Sequence, residues 1–203
     1  RGKLNGGIVV RMGNNERLRL LDDTEILLDQ STLIIADEKV PLALAGIMGG
    51  RNSAVVESTD EIVLESAWFN PLSIATKARF YGKHTESSHR FERGVDYSLQ
   101  VAAMERATAL IITICGGRAG PLVLKEAPQH LPKRSQIKLM HSNVSKLLGV
   151  ELNFSTIESI LIRLGLNQLS KDQISSSWQP PSWRSDLRIE EDLIEEIARI
   201  FGY

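Results

Sequence analysis

The reading of the fold turns on Ile62-Val63-Leu64-Glu65-Ser66-Ala67-Trp68-Phe69-Asn70-Pro71, because the periodicity of the chain changes inside it. Before it lie short apolar runs of strand length: Ile8-Val9-Val10, Leu18 to Leu21, Ile26-Leu27-Leu28, Leu33-Ile34-Ile35 and Pro41 to Ala45. Turn chemistry such as Gly13-Asn14-Asn15 and Asp22-Asp23 bounds them. Ile62 to Ser66 reads as a further strand. Asn70-Pro71 then reads as a helix start, since Asn is a favoured N-cap and Pro fits the first helical position. That helix is expected to run to about Tyr81 and stop at Gly82. A second starts near Asp96 or Ser98, with Leu99, Ala103, Ala107, Leu110, Ile111 and Ile114 at helical spacing before Gly116-Gly117. Leu122-Val123-Leu124 reads as a returning strand.

Glu126 to Arg134 holds two prolines and little that is apolar, and marks a domain boundary. The expected organisation is residues 1–125, a linker over 126–134, and residues 135–203. In the second part Ser142 caps a helix to Leu148. Ser155 with Glu158 reads as a capping box for another, ending at Gly165. Trp178 to Trp183 reads as an irregular extended piece, and Glu190 to Phe201 as the last helix.

The 203 residues allow one large domain or two small ones. With 42% hydrophobic and 24% charged residues the composition is that of a globular chain. A net charge of −1 excludes a basic nucleic-acid-coating protein. No apolar run approaches the roughly 20 residues that span a bilayer. The one cysteine, Cys115, excludes a disulfide within the chain, points to an intracellular setting, and reads as core. The opening on Arg1 and the close on Phe201-Gly202-Tyr203 read as those of a piece of a larger protein.

The densest polar cluster is His84-Thr85-Glu86-Ser87-Ser88-His89-Arg90-Phe91-Glu92-Arg93-Gly94, read as a loop between helices. It suits either the positioning of a polar ligand or a solvated connector. Glu65, on a strand face with Val63, is either a pocket acceptor for a ligand hydroxyl or amine, or a surface residue at a sheet edge. Gly46, Gly49 and Gly50 allow close backbone approach, or form a plain turn; no Gly-Lys-Ser/Thr follows, so a Walker loop is excluded. Asp192, Glu195 and Glu196 fall at i, i+3 and i+4, so they share a helix face that is either a magnesium position or a solvated acidic face. His130, His141 and Cys115 lack metal-ligand spacing, and no complete catalytic set is legible.

Five strings, in order and across the whole chain, resemble the beta subunits of bacterial phenylalanine–tRNA ligases (phenylalanyl-tRNA synthetases). They are Leu44 to Gly50, Leu64 to Pro71, His84 to Asp96, Cys115-Gly116-Gly117, and Pro181 to Asp186 continued by Ile189 to Glu196 and Phe201-Gly202-Tyr203. The resemblance implies an α+β fold: a mixed-sheet editing domain, then a small three-helix winged-helix-like domain. It implies hydrolysis of tRNA(Phe) mischarged with tyrosine, with Gly46, Gly49, Glu65, Thr85 and Ser87 in the editing pocket and Glu65 reading the tyrosine hydroxyl. Ser87 stands where the family usually has Ala, and Glu86 where it has Asp. The family's hydrolytic histidine belongs to a string expected just upstream of Arg1, so no catalytic residue is assigned here. Asp186, Asp192, Glu195 and Glu196 match magnesium positions described as shared with the alpha subunit; Ser185 replaces a usual Phe. The implied setting is a cytoplasmic α₂β₂ assembly whose alpha subunit, not this chain, binds ATP and phenylalanine. Two alternatives stand beside it: a non-catalytic module for subunit assembly or tRNA docking, and a free-standing tRNA-modifying enzyme.

Overall fold

The computed structural model describes residues 2, 4–134 and 136–202. Arg1 and Tyr203, named above as the ends of a fragment, and Ser135, the expected start of the second domain, lie outside them. The chain forms two compact units, residues 1–95 with 99–123, and residues 96–98 with 124–203.

The first unit begins with β1 (Val9–Met12), β2 (Glu16–Arg19), β3 (Glu25–Leu28), β4 (Leu33–Ala36), β5 (Pro41–Leu44) and β6 (Met48–Gly49). One sheet has the order β1-β4-β5-β6, and β2-β3 is a separate hairpin. The α+β class holds, but every strand pair among the described residues is antiparallel, where a mixed sheet was expected. Ile62 to Ser66 and Leu122 to Leu124 are not strands. Apolar β-branched sequence is not enough for a strand; it needs a partner for its backbone groups.

Helix α1 (Pro71–Phe80) starts as its sequence requires. The Asn70 side chain accepts from Leu72 N at 3.0 Å and Ser73 N at 3.4 Å, with Pro71 in the first position. Ile74 and Ala78, four residues apart, are its buried face. They close a core with Leu20, Leu28, Ile34, Leu44 and Phe69. The polar cluster is not a loop: Glu86–Arg93 forms α2. Helix α3 (Gln100–Cys115) forms where its period indicated, yet none of its residues is buried and Cys115 is exposed rather than core.

Tyr81, just past α1, locks the helix to the hairpin. Its hydroxyl donates to Leu27 O at 3.1 Å and lies 2.8 Å from Thr32 Oγ1. Lys77 Nζ reaches both oxygens of Asp29 at 2.9 and 2.7 Å. The Lys77 ammonium, then the Thr32 hydroxyl, hold the Asp29 carboxyl well below the usual aspartate range. Asp37 is also held low, by N–H groups of Val40, Asn5 and Lys39. An unfolded aspartate titrates near about 3.9 and these lie lower when folded, so their stabilisation is complete above that value and fades as pH falls below it. The thermal midpoint of the first unit should be flat from pH 7 to about pH 5 and fall below about pH 4. Lys77→Met should lower the midpoint at pH 7 and shrink the acid-induced drop; a pH curve parallel to the unmodified chain would show that the Asp29 pair contributes nothing.

The second unit contains β7 (Ile137–Met140), α4 (His141–Leu148), α5 (Phe154–Arg163), β8 (Asn167–Lys171), β9 (Ser175–Gln179) and α6 (Glu190–Phe201). Three helices are present as the resemblance implied, joined by an antiparallel sheet of order β7-β9-β8. Part of the supposed irregular piece, Trp178-Gln179, belongs to the central strand of that sheet. The caps also differ. Helix α4 begins at His141 with no side-chain cap, and α5 is capped by Asn153, whose Oδ1 accepts from Thr156 N at 2.8 Å, instead of by Ser155. Trp178, Leu139, Leu161, Leu193 and Ile197 fill the core. No described helix is long and apolar enough to cross a membrane.

Candidate functional site

Three of the five predicted pocket residues, Gly46, Thr85 and Ser87, meet at the turn that follows β5. Gly46 has φ +68°, and Ile47 N returns to Leu44 O at 3.0 Å to close the turn. The start of α2 is stapled to this turn. Thr85 Oγ1 donates to Ile47 O at 2.7 Å, and Ser87 Oγ donates to Gly46 O at 2.9 Å. Thr85 is also the N-cap of α2: its oxygen accepts from Ser88 N at 3.0 Å while its own N–H donates to Ser88 Oγ at 2.9 Å. This reciprocal box is why a strongly polar eight-residue segment is helical. Thr85 is thus committed to two backbone partners and positions the turn. Ser87 is exposed and keeps oxygen lone pairs for a ligand.

Behind the turn, the rings of Phe69 and Phe91 meet at 5.1 Å between centroids. Phe69, from the segment after Glu65, and Phe91, from α2, therefore fix the two sequence strings against each other. Gly49 lies on another side, in β6, opposite Ala43 and against Leu21. A recess beside Ala45 and Ile47 is bounded by Met12, Leu33, Asn70 and Lys77, none of them among the predicted site residues.

Glu65 is a surface residue, as one of the two readings had it, but it lies on no sheet edge. Its segment is extended but unpaired, and the residue is exposed rather than buried. No hydrogen bond or ion pair reaches its carboxylate among the described residues. Desolvation nevertheless raises its carboxyl above the usual glutamate range, so protein mass surrounds a group that solvent still reaches. The backbone next to it is pinned where Gln100 Nε2 donates to Ala67 O at 3.2 Å. No hydrogen bond or ion pair joins Glu65 to Thr85 or Ser87 among the described residues. The unit therefore presents an unpaired acceptor, a glycine turn and an exposed hydroxyl, and no nucleophile–base pair among the described residues.

The acidic residues of the second unit are paired by arginines and do not converge as a ligand set among the described residues. Arg184 Nη2 lies 2.6 Å from Asp186 Oδ2 and 3.0 Å from Glu196 Oε1. Arg199 Nη2 reaches Glu196 Oε2 at 2.5 Å. Arg184 is the leading cause that holds both carboxyls below their usual ranges. Glu196 is buried, Glu195 is exposed, and Asp192 folds back to cap its own helix, accepting from Arg188 N at 2.7 Å and Ile189 N at 2.9 Å. Among the described residues, no three His, Cys, Asp or Glu side chains converge as metal ligands. As arranged, these residues do not fit a magnesium ion. The shared helix face read from i, i+3, i+4 spacing is overridden by tertiary pairing. Arg184 was the missed residue; its place two before Asp186 was the available signal.

The family model of the B3/4 domain matches residues 1–116, more than half of the chain, including every predicted pocket residue. The chain belongs to the B3/4 domain family. In this B3/4 chain a tRNA synthetase B5 domain matches residues 137–203. Beta subunits named phenylalanine–tRNA ligase are similar over nearly its whole length. That of Hahella chejuensis is 51% identical over 99% of this chain and 26% of its own. That of Idiomarina loihiensis is 52% identical over 98% of this chain and 25% of its own. That of Yersinia pestis is 49% identical over 99% and 25%. The resemblance read from the five strings is borne out. The B3/4 chain spans about a quarter of the length of these relatives. An N-terminal fragment of the phenylalanyl-tRNA synthetase beta subunit from Pyrococcus horikoshii matches all of this chain and 58% of its own, with 15% identity and a TM-score of 0.46.

Proposed function

We propose that the chain is the editing region of a phenylalanine–tRNA ligase beta subunit, and that Glu65 selects tyrosyl-tRNA(Phe) for hydrolysis by accepting the tyrosine hydroxyl. The observation that carries this reading is the exposed carboxylate of Glu65, which no hydrogen bond or ion pair reaches among the described residues. An aminoacyl ester is already activated, so the site needs a positioned water and a means of telling two side chains apart. Tyrosine gives the carboxylate a donor; phenylalanine desolvates it further and gives it nothing. That asymmetry spares the correct product. The turn stapled by Thr85 and Ser87 offers a backbone wall of fixed shape. The parent subunit works in the cytoplasm with an alpha subunit that uses ATP to charge tRNA(Phe).

The test is Glu65→Ala in the assembled ligase. Loss of a hydrogen bond to a charged group amounts to about 1.5–3 kcal/mol, so the ratio of tyrosyl to phenylalanyl deacylation should fall roughly tenfold to a hundredfold. An unchanged ratio would make Glu65 a surface residue. The second reading is a non-catalytic module for subunit assembly or tRNA docking. It is favoured by α3, whose Leu110, Ile112 and Ile114 are exposed. On that reading Glu65→Ala leaves both deacylation rates unchanged, while polar substitutions on α3 weaken assembly or tRNA affinity.

A further inference from the structure

We infer that the guanidinium of Arg184 is the cation of the acidic cluster around the start of α6, and that in this latched state the cluster excludes a divalent ion. The inference concerns the second unit and stands apart from the editing assignment. Almost every carboxylate oxygen needed for a metal is already in use. Arg184 Nε and Nη2 grip Asp186 as a fork, at 2.9 Å to Oδ1 and 2.6 Å to Oδ2. The same Nη2 reaches across to Glu196 Oε1 at 3.0 Å, and Arg199 takes the other Glu196 oxygen. Two guanidinium groups against two carboxylates make a neutral quartet. One member, Glu196, is only 7% exposed. Asp192 Oδ2 is occupied by two backbone N–H groups. Only Asp192 Oδ1 and the exposed Glu195 remain.

Magnesium demands near-octahedral oxygen ligands and gives up its waters reluctantly. To recruit Asp186 and Glu196 it must displace Arg184, and the displaced guanidinium needs another acceptor. Two carboxylates at the helix edge do not compensate for that exchange. The planar fork of arginine suits the bridging role, because one side chain satisfies two carboxylates in fixed geometry. Arg184 is therefore a positioning residue. It ties the segment from Pro181, whose carbonyl accepts from Arg184 N at 3.1 Å, to buried Leu187 against α6.

The 203-residue chain tests this directly, by thermal unfolding and calorimetric titration in MgCl₂ against NaCl of equal ionic strength. The unmodified chain should bind no magnesium and show no magnesium-dependent shift. Arg184→Gln should lower the midpoint of the second unit by about 4–8 °C. Stoichiometric magnesium binding by the unmodified chain would overturn the inference. So would an Arg184→Gln midpoint equal to the original. If Arg184→Gln does not fold, Arg184→Lys is read in the same way. Its single-centred ammonium cannot grip Asp186 as a fork and bridge to Glu196 at once, so its midpoint should also fall, and an unchanged one would again overturn the proposal.

Discussion

Trp178→Ala should cost about 3–5 kcal/mol and leave the second unit largely unfolded at 25 °C. The indole is fully buried. It stands on the central strand β9, opposite Ile137 of β7 and Gln168 of β8. Its Nε1 donates to Ser176 Oγ at 2.8 Å, and the same hydroxyl oxygen lies 3.2 Å from His141 Nε2. Truncation removes the largest side chain of the core and the indole N–H that bonds Ser176. The cavity opens at the centre of the sheet, where three strands and α6 leave little room to collapse. The elements that build this core lie within residues 137–201, and a core below about 80 residues rarely holds more than 3–5 kcal/mol, so the loss consumes most of its stability. Urea denaturation followed by circular dichroism should show the second unit's transition moved to near zero denaturant and the first unit's unchanged. A loss below about 1 kcal/mol would mean that the site repacks and that Trp178 is not the keystone of this core.

The same tryptophan shows what the sequence conceals. Ser175-Ser176-Ser177 has the composition of a loop, yet Ser175 and Ser176 are buried in β9. The partner that makes it a strand lies some 40 residues away, Ile137 facing Trp178. Strand identity depends on such non-local pairing, which explains the opposite errors too. Ile62 to Ser66 and Leu122 to Leu124 look like strands and find no partner among the described residues. Helices with local signals were legible: Asn70-Pro71 opens α1, and the apolar and acidic pattern of Glu190 to Phe201 matches α6. Helix α2 escaped because its box uses Ser88, buried and third in the helix, in place of Glu or Gln. In the candidate site, the Gly46 turn with Thr85 and Ser87 was legible as strings, and the structure brings them together. Glu65 was legible as an unusual carboxylate, with its exposure left open between two readings. The pairing of the acidic face was not legible, for a physical reason. Helical spacing says which residues neighbour each other along one helix. It does not say that an arginine from outside the helix, Arg184, will bridge Asp186 and Glu196.

Gly46→Ala should cost about 2–5 kcal/mol in the first unit and also impair selection of the ester. Two independent effects add. The backbone of Gly46 has φ +68°, where an L side chain is strained by about 1–2 kcal/mol. A methyl group there would also lie 2.9 Å from Phe69 Cδ2 and Ile74 Cδ1, and 3.3 Å from Phe91 Cδ2. The Ile74 methyl can turn away. The Phe69 ring cannot move without disturbing Phe91 and the core, and overpacking of that kind costs about 1–3 kcal/mol. Gly82 separates the two effects. Its φ is +62°, almost the same, and an added methyl would meet nothing within 4 Å. Gly82→Ala should therefore show the backbone strain alone. The difference between the two variants in urea unfolding measures how tightly the turn is packed, and equal losses would mean that the turn is not pressed against Phe69. Displacement of the turn carries the Gly46 and Ile47 carbonyls with it, and with them the anchors of Ser87 and Thr85. In the assembled ligase, tyrosyl deacylation should then fall for Gly46→Ala while Gly82→Ala retains it, even at a temperature where both remain folded. A folded Gly46→Ala with full tyrosyl deacylation would separate the turn from the site and leave it a purely structural corner.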